Sequence, residues 1–179
     1  PGGTALFNGN ISETEWKTQS DNVLRWYKYG YDNLNRISSG TANSSNYSVT
    51  GISYDKNGNI TNHTRRGAIN STSTSFGNMD VLSYAYINGG NRLQRVHDTG
   101  SGTYGFVNGA SLTTEYTYDG NGNMKSDSNK GITGIDYNHL NLPKSVSLGG
   151  GTISYIYDAT GVKQRKVVGT TTTDYAGNY

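Results

Sequence analysis

Apolar and polar residues alternate over short stretches of this chain, and each stretch runs into a cluster of Asp, Asn and Gly. The phrases "YGYDNLNRI" (Tyr29 to Ile37), "ISYDKNGNI" (Ile52 to Ile60) and "YTYDGNGNM" (Tyr116 to Met124) are near-copies. Aligned on the Tyr before the turn, the pattern recurs at Tyr31, Tyr54, Tyr86, Tyr118, Tyr137 and Tyr157, at spacings of 23, 32, 32, 19 and 20 residues. An aromatic or Ile stands two residues earlier, at Tyr29, Ile52, Tyr84, Tyr116, Ile135 and Tyr155. Period-2 alternation puts each such pair on one face of a strand.

The turn that follows has its own grammar. Asp comes next at Asp32, Asp55, Asp119 and Asp158, and Asn at Asn138. Their side chains accept a hydrogen bond from a backbone N–H two residues on, which favours a turn. Four residues after the Tyr stand Asn35, Gly58, Gly122, Asn141 and Gly161, residue types that tolerate the left-handed conformation. The copy at Tyr86 reads "YINGGNRL", one residue longer, with Gly89 and Gly90 near the equivalent place. An apolar residue restarts the strand at Ile37, Ile60, Leu93, Met124, Leu142 or Val162. Each unit therefore predicts strand, tight turn, strand. The wider spacings leave room for longer loops after Thr64 and after His97. A lone hairpin is marginally stable in water, so a tandem series implies units packed each on the next.

Composition agrees. The 179 residues include 25 Gly and 15 Tyr but only 3 Phe, and 16% are charged. At 11% aromatic, the chain is too rich in Tyr for a disordered segment. The fold class predicted is all-β: one continuous, twisted antiparallel sheet of about six to seven hairpins, open rather than closed. A β-propeller is the alternative, but its blades need about 40 residues each. The chain starts at Pro1 and stops at "DYAGNY", which reads as a piece of something longer. Exposed sheet edges predict self-association. No apolar run reaches the ~20 residues that span a membrane as a helix.

Chemistry is sparse. A net charge of +2 with scattered Lys and Arg argues against a nucleic-acid partner, and Arg65-Arg66 and "KQRK" (Lys163 to Lys166) read as solvated strand faces. With no Cys, disulfides and Cys-based zinc sites are excluded. His63, His97 and His139 lack the spacing of a zinc site. "DKNGN" and "DGNGN" resemble half a calcium loop, but the position of the bidentate Glu is taken by Arg66 and Lys130. No nucleophile elbow or phosphate loop is present, and the repeated Asp residues are explained by a repeated turn. The prediction is a non-enzyme without metal or cofactor. Trp26 and Tyr27 fall outside the strictly repeated positions and are the candidates for stacking on a ligand such as a glycan.

The repeated phrase resembles the YD repeat, also called the Rhs repeat: Tyr-Asp, two variable residues, Gly or Asn, Arg, then Leu or Ile. "YDNLNRI" fits fully; "YDKNGNI", "YDGNGNM" and "YDATGVK" differ late in the motif; "YNHLNLP" and "YINGGNRL" lack the Asp. The resemblance covers residues 24–179, while residues 1–23 match less well and read as a lead-in strand pair around Asn8-Gly9. It implies a segment of a large secreted or cell-surface bacterial protein whose repeats wind into a hollow shell. The rest of the parent chain, and an enclosed C-terminal toxin, would be its partners. An adhesive or glycan-binding surface is the alternative function. The Asp-Pro motif of the family's autoprotease segment is absent, since neither Pro1 nor Pro143 follows an Asp.

Overall fold

A computed structural model describes residues 2–177. Its described residues form fourteen strands: β1 (Glu13–Lys17), β2 (Leu24–Tyr31), β3 (Ile37–Ala42), β4 (Val49–Tyr54), β5 (Ile60–Ala68), β6 (Phe76–Tyr86), β7 (Leu93–Asp98), β8 (Tyr116–Tyr118), β9 (Met124–Asp127), β10 (Ile132–Tyr137), β11 (Pro143–Leu148), β12 (Gly151–Tyr157), β13 (Lys163–Val168) and β14 (Thr171–Asp174). Among the described residues the strands pair antiparallel, and within each sheet each strand lies beside its sequence neighbours.

The all-β array is as predicted, with one refinement. The ladder divides into two seven-stranded sheets, β1 to β7 and β8 to β14. Between them runs the irregular segment 99–115. Two compact units result, residues 2–91 with 96–108, and residues 92–95 with 109–177. The predicted loop after Thr64 is mostly strand instead. β5 and β6 are the longest arms, at 9 and 11 residues, joined by residues 69–75. Asn70 closes that hairpin: its Oδ1 accepts the N–H groups of Thr74 and Ser75 at 3.0 Å each. The polar run "INSTSTS" thus caps a long hairpin.

Cross-strand register sorts the two faces of each sheet. In the first, Tyr27 faces Ala42, Tyr29 faces Gly40, Gly40 faces Val49, and His63 faces Leu82. The other face carries Lys28 against Thr41, Thr50 against Thr64, and Asn62 against Ser83. In the second sheet, Ile135, Val146, Ile153 and Val168 are linked by register, while Asp136, Ser145 and Ser154 line the reverse. Apolar residues thus concentrate on one side of each sheet, although Arg65 and Asp80 share that side in the first and Val167 lies on the reverse of the second.

Little of that apolar surface is sealed. The buried hydrophobic residues are Ala42, Leu82 and Val96 in the first unit and Tyr116 and Ile135 in the second. The accessible surface is 11299 Å². Two separate compact domains sharing this mass would expose only about 10,000 Å². The described residues form one sheet per unit rather than the two packed sheets of a sandwich.

The turns hold the array in register. The residue four after each anchor Tyr has positive φ: 60° at Asn35, 88° at Gly58, 87° at Gly122, 56° at Asn141 and 89° at Gly161. A Cβ on Gly122 would meet nothing within 4 Å, so conformation alone selects its residue type. In the Tyr86 copy the left-handed pair is Asn88 (φ 51°) and Gly89 (φ 65°), with Gly90 at φ −88°. Ile87 accepts the Gly90 N–H at 2.9 Å, so two consecutive left-handed residues replace the missing Asp. Gly122→Val should lower stability by about 1–2 kcal/mol. Gly122→Asn should cost only tenths of that, because Asn already fills the same slot at Asn35 and Asn141. Urea unfolding of both variants checks this; equal losses would overturn the positive-φ account.

Candidate functional site

The repeated residues build one local device. In the five regular copies the residue after the anchor uses Oδ1 to accept two backbone N–H groups, two and four residues on. Asp55 takes Asn57 (2.8 Å) and Asn59 (2.9 Å), and Asp119 takes Asn121 and Asn123 (2.9 Å each). Asp32, Asn138 and Asp158 do the same with Leu34 and Arg36, Leu140 and Leu142, and Thr160 and Val162. The second bond, four residues on, goes beyond the Asx turn read from the sequence. These donors hold the carboxylates in their charged form. Asp32 is lowered chiefly by the Arg36 N–H, Asp55 by the Asn59 side chain, Asp119 by that of Asn123, and Asp158 by that of Thr160.

The anchor tyrosines act through their hydroxyls. Each is the last residue of its strand, and its O–H donates to a backbone carbonyl of the preceding unit. Tyr54 reaches Ile37 (2.6 Å), Tyr86 reaches Ile60 (2.8 Å), Tyr118 reaches Leu93 (2.9 Å), Tyr137 reaches Met124 (2.7 Å) and Tyr157 reaches Pro143 (3.0 Å). Every acceptor is the first residue of a strand. In the last two units this places the restart at Pro143 and Lys163, one residue beyond the predicted Leu142 and Val162. Pro143 suits a strand's first position, where no ladder N–H is needed. A register shift sits beside five of the anchors, at Gly30/Tyr31, Ser53/Tyr54, Thr117/Tyr118, Asp136/Tyr137 and Ile156/Tyr157. Such a bulge re-aims a side chain. Burial raises the hydroxyl pKa of Tyr86, Tyr118, Tyr137 and Tyr157.

The variable tail of the motif also reaches the next unit. Arg36 lies over the Tyr54 ring at 4.3 Å, and Arg92 over the Tyr118 ring at 5.8 Å. Where Asn replaces that Arg, Asn59 bridges its own Asp55 (2.8 Å) and the Gly90 carbonyl (3.2 Å). Asn123 likewise bridges Asp119 (3.0 Å) and the Asn141 side chain (2.9 Å). Ring stacking joins Trp16 to Tyr27 and Tyr27 to Tyr29 rather than successive anchors.

The lead-in carries the same device in truncated form. Residues 2–12 hold no strand, so the strand pair predicted around Asn8-Gly9 is absent; β1 pairs with β2 instead. Yet Gly9 has φ 89°, Asn8 donates to the Asn35 side chain at 2.7 Å, and Ile11 accepts the Tyr31 hydroxyl at 2.7 Å. Aligned on Asn-Gly-Asn, Ala5 and Leu6 occupy the Tyr and Asp slots.

Three buried carboxylates escaped the sequence reading: Asp127, 3% exposed, in β9, and two that engage the irregular segment. Asp80, 2% exposed, accepts from Arg65 Nε at 2.5 Å and from the Phe106 N–H at 2.7 Å. Arg65, its side chain still 46% exposed, is thereby half of an ion pair, while Arg66 donates to the Ser45 carbonyl at 3.0 Å. Glu115, 1% exposed, accepts from Asn129 at 2.8 Å, and Asn129 in turn accepts the Ala110 N–H at 3.1 Å. Both acids pin the irregular segment 99–115. No repetition marks them, so nothing in the sequence singles them out. His63 stacks on Tyr84 at 5.8 Å, and burial lowers its pKa. Among the described residues no three metal-ligating side chains converge.

Trp26 and Tyr27 separate onto opposite faces. Trp26 pairs with Glu15 and lies under Lys28 Nζ at 5.0 Å. Tyr27 lines a cleft of about 400 Å³ with Trp16, Arg25, Asn43 and Tyr47.

Tyr54→Phe should lower stability by about 1 kcal/mol, the worth of one hydrogen bond, with the strand content unchanged; urea unfolding followed by circular dichroism measures both. Loss of nothing would show that the hydroxyl does not tie the units. The depressed carboxylates set a pH dependence. A group whose folded pKa lies below its unfolded value stabilises above the unfolded pKa and loses that contribution as pH falls. Stability should therefore hold above about pH 4 and decline below it. Asp119→Asn keeps the acceptor, as Asn138 does, and should flatten part of the decline. An unaltered acid profile would exclude Asp119 as a contributor.

No family model matches the sequence, and no curated protein matches it. Among solved structures, that of TcdB2-TccC3-TEV aligns at a TM-score of 0.56 with 15% identity, over 92% of this chain and 10% of that one. The chain thus spans about a tenth of the length of this neighbour. At such identity the likeness concerns the fold, and the fold is Rhs/YD-like.

Proposed function

We propose that this chain is a stretch of wall from a large Rhs/YD-type shell, a structural and non-catalytic element of a secreted or surface-displayed protein. One observation carries the reading. Each unit is tied to its predecessor by the same hydroxyl-to-carbonyl bond, from Tyr31 to Tyr157. The repeated residues are consumed by that tie and by the turn beneath it. They hold geometry and leave no free nucleophile or base at the repeated positions. An array built from nearest-neighbour ties extends by adding units, as a wall does. Sheets with apolar residues concentrated on one side suit a lining that meets further parts of the same parent chain. A toxin held inside such a shell would be its enclosed partner.

The test uses the full-length protein that contains this chain, purified under native conditions and imaged by electron microscopy. Its polypeptides are then weighed after denaturation. A hollow particle that releases a separate C-terminal polypeptide only on denaturation is the expected result. A single uncleaved chain with no internal cavity would overturn the wall reading.

A further inference from the structure

The cleft on the first unit's apolar face is the feature that the repeat does not account for. Trp16 on β1 and Tyr27 on β2 form one wall, with ring centroids 5.9 Å apart and planes 7° from parallel. Tyr47, 51% exposed, forms another and meets Phe76 edge-on at 5.4 Å. Arg25, Asn43 and Ser44 supply polar groups. None of Trp16, Arg25, Asn43 or Tyr47 belongs to a repeated slot.

We propose that this cleft binds a neutral glycan, with a pyranose ring seated against Trp16 and Tyr27. Four features point to that chemistry. The volume of about 400 Å³ lies in the range of small-ligand sites. Two near-parallel aromatic rings offer electron-rich faces that complement the C–H groups on one side of a sugar ring. The walls are already fixed: the Tyr27 hydroxyl donates to the Tyr47 carbonyl at 2.8 Å, and Asn43 Nδ2 donates to the Leu24 carbonyl at 3.1 Å. A site ordered before binding loses less entropy on binding. The charge of Arg25 is matched by Asp21, which takes both Nη1 (3.1 Å) and Nη2. An anionic group such as a phosphate therefore gains little there, whereas hydroxyls can exchange hydrogen bonds with the pair. Trp26, on the opposite face under Lys28, takes no part. This inference does not rest on the wall reading.

The chain's two tryptophans make the test direct. Trp26→Phe leaves Trp16 as the single indole, and Trp16→Phe leaves Trp26. Each variant is titrated with cellobiose, maltose and N,N′-diacetylchitobiose while indole emission is followed. For the Trp26→Phe protein, at least one disaccharide should give a saturable change with half-saturation at about 1 mM. The Trp16→Phe protein should give none. Tyr47→Ala in the Trp26→Phe background should weaken binding about tenfold or more. If either tryptophan variant misfolds by circular dichroism, saturation-transfer NMR on the unsubstituted chain replaces the titration, with Ser44→Phe as the variant that fills the cleft. No saturable response from any of the three sugars at the Trp16 site, or an equal response from the Trp16→Phe protein, overturns the proposal.

Discussion

Everything in this molecule depends on a hydroxyl reaching across a hairpin boundary. From Tyr54 onward the O–H of each anchor Tyr meets the carbonyl at the start of an earlier strand, at 2.6 Å for Tyr54 and 3.0 Å for Tyr157, while Tyr31 meets Ile11 ahead of β1. A unit with one sheet has no second sheet to hold it, so lateral ties matter more than in a sandwich. A single such bond contributes about 1 kcal/mol, which is modest alone. Repetition makes it effective, since each unit from Tyr31 to Tyr137 donates one bond and receives one.

The turn and the tie are parts of one arrangement. The Asx-type cage after the anchor fixes where the chain reverses. The bulge beside the anchor turns the Tyr side chain toward its acceptor. The motif's Arg then covers the next anchor's ring, as Arg36 does over Tyr54. Where Arg is replaced, Asn59 and Asn123 reach the neighbouring turn by hydrogen bonds instead. The last variable slot of the motif is therefore a slot for contacting the next unit, and two residue types satisfy it by different chemistry.

Departures from the repeat are informative for the same reason. Gly105 packs so closely on Asp80, at φ 85°, that a Cβ there would overlap the carboxylate. Segment 99–108 is held down by that single buried acid and by Asp98, whose Oδ1 accepts the N–H groups of Val81 (2.7 Å) and Gly100 (2.8 Å). The aromatic cleft is a second departure, made where the connection between β3 and β4 brings Tyr47 over Tyr27. Both depart from the repeat in the first unit, whereas β10 to β13 follow it closely.

The sequence by itself determined the hairpins, the turn residues and the positive-φ slots. Asp119 to Asn123 is a closed hydrogen-bonded ring spanning five residues, so its chemistry is complete within the phrase that encodes it. The tertiary structure alone decided the rest. Tyr hydroxyls meet carbonyls 13 to 26 residues away, and Asp80 meets Phe106 across 26. Such pairs depend on cross-strand register, which local pattern does not specify when loop lengths vary. Trp26 and Tyr27 show the limit most plainly. Adjacent in sequence, they point to opposite faces because side chains alternate along a strand, and only the fold decides which face holds a cleft.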